Sequence, residues 1–104
     1  MTIQINTDNN LTVDERSNDF FSAQITEALQ RFASNITRIE LHLKDENAGK
    51  EGINDISCVL EARLEGRQPI AVTSKGDSVD LAVSSAIEKA KTAIDSIMGK
   101  IQSR

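Results

Sequence analysis

Tryptophan and tyrosine are absent, and phenylalanine occurs three times. A core built from this chain must be aliphatic, and recognition of bases by stacking on aromatic platforms is excluded as a main mechanism. One cysteine rules out an internal disulfide. Cys58 lies between Ile56 and Leu60 in an apolar stretch, where a lone cysteine acts as a small core hydrophobe. A catalytic thiolate needs a base beside it, and the single histidine, His42, sits among charged residues on the polar side of a predicted strand. No constellation for catalysis, metal binding or a cofactor is present: there is no glycine-rich phosphate loop and no nucleophile elbow. A non-enzyme without cofactor or metal is expected. No apolar run reaches membrane-spanning length. With a single cysteine, a reduced, cytoplasmic setting is expected, and the opening MTIQINTDNN has neither a basic nor an apolar leader region.

The 104 residues carry a net charge of −4. One domain spanning 1–104 is expected, large enough to bury a core without staples. A net acidic chain is a poor generic partner for phosphates, which require clustered lysine and arginine. The charge is uneven, however. Residues 81–104 hold four basic side chains (Lys89, Lys91, Lys100, Arg104) against Glu88 and Asp95, while the remainder holds 8 basic and 14 acidic ones. This asymmetry points to a polarised surface.

Hydrophobic periodicity divides the chain into six elements. TIQINT (2–7) alternates and reads as a strand. Thr12 and Glu15 have the form of a capping box, with Asp14, Ser17 and Asn18 as rival caps. Phe21, Ile25, Ala28, Leu29 and Phe32 then recur at helical spacing to about residue 33, with Gln24, Glu27 and Arg31 on the outer face. In ITRIELHLKD (36–45) the period becomes two: Ile39, Leu41 and Leu43 face one way, and Arg38, Glu40, His42 and Lys44 the other. A loop follows over 46–54. A third strand over 55–66 turns Ile56, Cys58, Leu60, Ala62 and Leu64 inward and Ser57, Val59, Glu61, Arg63 and Glu65 outward. Pro69 suits the start of a fourth strand over 69–74. From an N-cap at Asp77 or Ser78, an apolar stripe from Val79 to Ile101 predicts a long final helix, weakened at Gly99. The order β-α-β-β-β-α predicts an α+β two-layer sandwich, a four-stranded sheet with both helices on one face.

Several stretches carry a resemblance: IQINTDNNLTVDE at the start, ITEALQRFASNITRIELHL (25–43) as the closest, and EARLEGRQPIAVTSKGDSVDLAVSSAIEKAKTAI toward the end. Together they resemble the hibernation-promoting factor and ribosome-associated inhibitor family, also called the sigma-54 modulation or S30EA family. The likeness covers nearly the whole chain and rests on layout rather than on one motif. It implies a fold similar to the double-stranded-RNA-binding domain. It also implies a stress or hibernation factor that binds the small ribosomal subunit through its RNA, not DNA, and inhibits translation. Within that family the chain is similar to the short forms. It departs from the family in its tail, where IDSIMGKIQSR has only Lys100 and Arg104 in place of a dense basic run, and in lacking the tyrosine before the final helix.

On the final helix, Ser85, Lys89, Thr92, Ser96 and Lys100 share one flank, and Lys91 lies on another. Such a stripe is either the solvated back of a sheet-covering helix or a set of phosphate contacts. On the second reading, Lys89, Lys91 and Lys100, supported by Arg31, are the expected RNA-binding residues. The alternative is a homodimerising protein-interaction domain that kept the fold and lost the RNA surface, using Val59 and the ladder of Arg38, Glu61 and Arg63.

Overall fold

The computed structural model describes residues 1–8, 11–46 and 55–102, with the backbone alone from 100 onward. Its elements are β1 (Thr2–Thr7), α1 (Glu15–Ala28), a 3-10 helix (Gln30–Asn35), β2 (Ile36–Asp45), β3 (Ile56–Leu64), β4 (Ile70–Gly76) and α2 (Val79–Gln102). The four strands form one sheet in the order β1-β2-β3-β4. β1 and β2 are parallel, joined by the α1 crossover that parallel neighbours require. The β2–β3 and β3–β4 pairs are antiparallel.

The predicted inward residues form the core. Ile39, Leu41 and Leu43 of β2 and Cys58, Leu60 and Ala62 of β3 are buried in one cluster with Phe21, Ile25 and Leu29 of α1 and with Val83, Ala86, Ala90 and Ile94 of α2. Both helices therefore cover the same face of the sheet, as expected. The other face presents the alternate residues in cross-strand rows, among them Arg38 opposite Arg63, Glu40 opposite Glu61, and His42 opposite Val59. Like charges directly opposite one another are unfavourable. Arg38 relieves this by pairing along its own strand with Glu40 at 3.2 Å, and by donating across to Gln4 of β1. Ser57, expected to face out, is buried, with its hydroxyl donating to Glu46 Oε1 at 2.9 Å.

Four boundaries differ from expectation, each for a local reason. The cap of α1 is Asp14, not the Thr12 of the capping box: Asp14 Oδ1 accepts from Ser17 N at 2.8 Å. That hydrogen bond lowers the pKa of the Asp14 carboxyl, because it favours the charged form. The α-helical period ends at Ala28 rather than near residue 33. The chain then tightens into the 3-10 helix, with Phe32 N donating to Leu29 O at 2.9 Å and the Phe32 ring in the core. β3 stops at Leu64, before the turn in which Gly66 adopts a φ of 72°. β4 runs two residues past the expected Ser74, to Gly76. Between Ile36 and Arg38 the β2–β3 register shifts, and Thr37 Oγ1 donates to Arg63 O at 3.3 Å. This irregularity changes the parity of the strand, so Ile36 and Ile39, three residues apart, are both buried.

β4 and α2 join closely. Ser78 caps the helix, accepting from Leu81 N at 3.2 Å. The buried Ser74 hydroxyl donates to Ala82 O at 2.5 Å. A Cβ on Gly76 would lie 2.7 Å from Ala82 N, a backbone atom that cannot swing aside. Gly76→Ala therefore has to push the strand end off the helix, and destabilisation of about 1–3 kcal/mol is expected. Leu60 is fully buried at the centre of the sheet, so Leu60→Ala is expected to cost about 2–5 kcal/mol. Urea unfolding measures both, and a Leu60→Ala cost under about 0.5 kcal/mol would show that the inward face of β3 is wrongly assigned.

Candidate nucleic-acid interface

The helix layer positions the predicted cations. α1 and α2 run side by side in the same direction: Gln24 Nε2 donates to Ser84 Oγ at 3.0 Å near their starts, and Arg31 pairs with Asp95 at 3.4 Å further along. Gln24 is thus turned toward α2 and half-buried, not on the outer face that helical spacing predicts. A groove separates the helices, with Glu27 on one bank and Glu88 and Lys91 on the other.

Arg31 and Lys91 come together at the far end of this groove, lining one depression with Glu27 and Gln30. The Arg31 guanidinium also lies over the Phe32 ring, 4.9 Å from its centroid. Its ion pair with Asp95 joins two well-exposed side chains, an arrangement worth less than about 1 kcal/mol in water. The pair therefore orients Arg31 without holding it back from a phosphate. Lys89 lies elsewhere. Two residues apart on a helix, Lys89 and Lys91 point to opposite flanks, and Lys89 Nζ donates to Thr73 O of the edge strand β4 at 2.7 Å. This lysine covers an edge carbonyl, a means of discouraging strand addition. Lys100 belongs to α2, but its side chain lies outside the described residues, as does Arg104. The hydroxyl stripe on the Lys89 flank is present, with Thr92 and Ser96 exposed and Ser85 half-buried.

Sequence reasoning misses the counter-charge Asp95 and the Thr73 carbonyl. Asp95 has a detectable signal, since it stands one turn after Lys91 on the same helix face. Thr73 has none, because a backbone carbonyl is invisible in residue types.

Charge is sorted along the helix layer. α1 holds Glu15, Asp19 and Glu27 against Arg16, and residues 77–88 hold Asp77, Asp80 and Glu88 with no base. Beyond them, residues 29–35 add Arg31, and residues 89–102 add Lys89, Lys91 and Lys100 against Asp95. The first turns of both helices carry acids, and the cations come later: Arg31 just past α1, whose last turn holds Glu27, and Lys89, Lys91 and Lys100 from the middle of α2 onward.

The remaining chemical groups are quiet. His42 is half-buried, its Nε2 3.9 Å from Glu40 Oε1. Among the described residues no cluster of His, Cys, Asp or Glu could hold a metal ion. Cys58 is buried, and burial pushes its thiol up to about 12. Val59, Arg38, Glu61 and Arg63 share the outer sheet face through the rows described above.

The fold has close counterparts among solved structures. The N-terminal domain of Thermus thermophilus Protein Y superposes with a TM-score of 0.75 at 16% identity, over 93% of this chain and 99% of that one. A ribosomal subunit interface protein from Coxiella burnetii superposes with a TM-score of 0.75 at 14% identity, over 95% of this chain and 99% of that one. At these identities the likeness is one of fold. No family model and no curated protein sequence matches the chain.

The state of Cys58 has a direct chemical readout. At pH 8 the native thiol is expected to react with iodoacetamide about a hundredfold or more slowly than in urea. Because burial raises this pKa, the folded chain keeps a proton that the unfolded chain loses above about 8.5. Cys58 therefore costs stability as pH rises from that value toward about 12. Fast native alkylation, followed by mass spectrometry, would contradict the buried position.

Proposed function

We propose that this protein binds the small ribosomal subunit through its RNA and suppresses translation, as a non-catalytic stress or hibernation factor. The observation that carries the reading is the fold shared along nearly the whole chain with a ribosomal subunit interface protein. The sorted charge of the helix layer supports it: the cationic end gathers Arg31 and Lys91 around one depression, and Lys100 follows on α2. These side chains act as point charges toward phosphates and carry no sequence readout. With about four phosphate contacts, the logarithmic salt slope is roughly −3 to −4. That is modest for a free RNA, so a shaped cleft on the subunit supplies the rest of the binding. The acidic starts of the helices then face away from phosphates, which fixes the orientation of the bound protein. A cytoplasmic location goes with this reading, and no described helix is long and apolar enough to cross a membrane.

The structure refines which cations to test. Lys89 is engaged with Thr73 O, so Arg31 and Lys91 are the primary contacts and Lys89 is secondary. Reversing both charges, Arg31→Glu with Lys91→Glu, is expected to abolish co-sedimentation with small ribosomal subunits at low salt while the thermal unfolding curve stays in place. Neutralising either cation singly, Arg31→Gln or Lys91→Gln, is expected to flatten the salt slope by about 1. Wild-type protein that fails to pellet with the subunit at low salt, or a double variant that pellets as wild type does, would refute the proposal.

A further inference from the structure

Among the described residues, two large apolar side chains of the helix layer are left in water. Phe20 is 60% exposed and Leu81 is 57% exposed. Neither belongs to the core stripe of its helix, and they are not scattered. Phe20 stands one turn before Gln24 on α1, and Leu81 three residues before Ser84 on α2. Gln24 and Ser84 are the two residues hydrogen-bonded across the groove at 3.0 Å. The exposed pair therefore stands at one level of the helix layer, near the helix starts, with the Leu81 Cβ beside Gly76 at the end of β4. Phe20 is not loosely placed: its ring meets that of the buried Phe21 edge to face, with centroids 5.8 Å apart. Val13 and Val79, both half-buried, line the adjoining depression between the helix starts.

We propose that this end of the helix layer, around the exposed Phe20 and Leu81, is a docking surface for a lysine- and arginine-rich protein segment carrying an apolar anchor residue. The apolar pair offers the kind of aromatic and aliphatic contact that anchors an interface. The acids around it select the occupant. Asp19 and Asp80 adjoin Phe20 and Leu81 in sequence, and Glu15 and Asp77 lie within the preceding turn or so, with Arg16 and Lys75 as the nearby bases. All four acids are exposed. A nucleic acid would set phosphates against these carboxylates. A second copy aligned in the same sense would set carboxylate against carboxylate. A basic segment meets complementary charge on the rim and apolar surface at the centre, the arrangement that steers and registers protein partners. This surface lies at the opposite end of the helix layer from Arg31 and Lys91, and the inference extends beyond the ribosome-binding reading.

The test uses the full chain, isotope-labelled, and a short synthetic peptide of arginines and lysines around one central phenylalanine, with a control peptide carrying glycine at the centre. Amide shift changes are expected to centre on Phe20, Gln24, Asp80 and Leu81, and to leave Lys91 unmoved. The glycine peptide, and separately the Phe20→Ser, Leu81→Ser protein, are each expected to weaken binding by about tenfold or more. The Arg31→Glu, Lys91→Glu protein is expected to bind the peptide undiminished, which separates this surface from the ribosome-binding one. Shift changes spread evenly over the acidic residues, equal binding of both peptides, or a serine variant that binds as wild type does would overturn the proposal. So would movement of the same amides on dilution without peptide, which would assign the surface to a second copy of the chain.

Discussion

Both helices depend on the one apolar face of the sheet. Strand alternation turns Ile39, Leu41, Leu60 and Ala62 to a single side, and burial of apolar area is the dominant favourable term available to a chain with so few aromatics. Two amphipathic helices confined to that face must lie beside each other. Their contact line becomes a groove, and every helix-borne polar residue not facing the sheet lies either on a bank of that groove or on the outer surface. The meeting of Arg31 with Lys91 follows from this confinement, as does the separation of Lys89 toward the β4 edge.

The direction of the helices is the second constraint. α1 and α2 run the same way, so their dipoles add instead of cancelling. Carboxylates at helix starts and cations at helix ends are each favoured by the dipole. This preference reaches only the terminal turns, where it favours Glu15 and Asp80 at the two starts; the mid-helix Lys89 and Lys91 lie beyond it. Asp14 and Ser78 cap the two starts, and the acids of the N-terminal half stand beside them. Polarity of this kind stabilises the helices whether or not anything binds. It also divides the layer into one end suited to phosphates and another suited to basic protein, so the solvated-face and binding readings of the lysine stripe are not exclusive for Arg31 and Lys91. For Lys89 the structure gives a third role, the covering of an edge carbonyl.

The outer face of the sheet obeys a different logic. Its rows bring Arg38 to Arg63 and Glu40 to Glu61, and the cost of like-charge neighbours is offset along the strand, by Arg38 with Glu40. On that face Arg38 is held by Glu40 and by Gln4. The helix layer, by contrast, leaves Phe20 and Leu81 without apolar cover.

Much of the fold is legible in the residue pattern alone. The switch from period 3.6 to period two at Ile36, and back near Val79, follows from backbone geometry within a few residues, and those periods set the order of elements, the inward residues of β2 and β3, the stripe of α2 and the burial of Cys58. Features that join distant segments are not legible. The register shift that lets Ile36 and Ile39 face the same way, the tightening of the chain around Phe32, the Lys89–Thr73 contact and the Arg31–Asp95 pair all depend on where another element sits. The same holds for the candidate site: its residue types can be read from composition and helical spacing, but which of them share a depression cannot. Periodicity is a property of one segment and its own backbone, so the sequence determined the elements and their faces. Proximity across the groove and along the sheet edge depends on how those faces are laid together, and only the tertiary packing decided it.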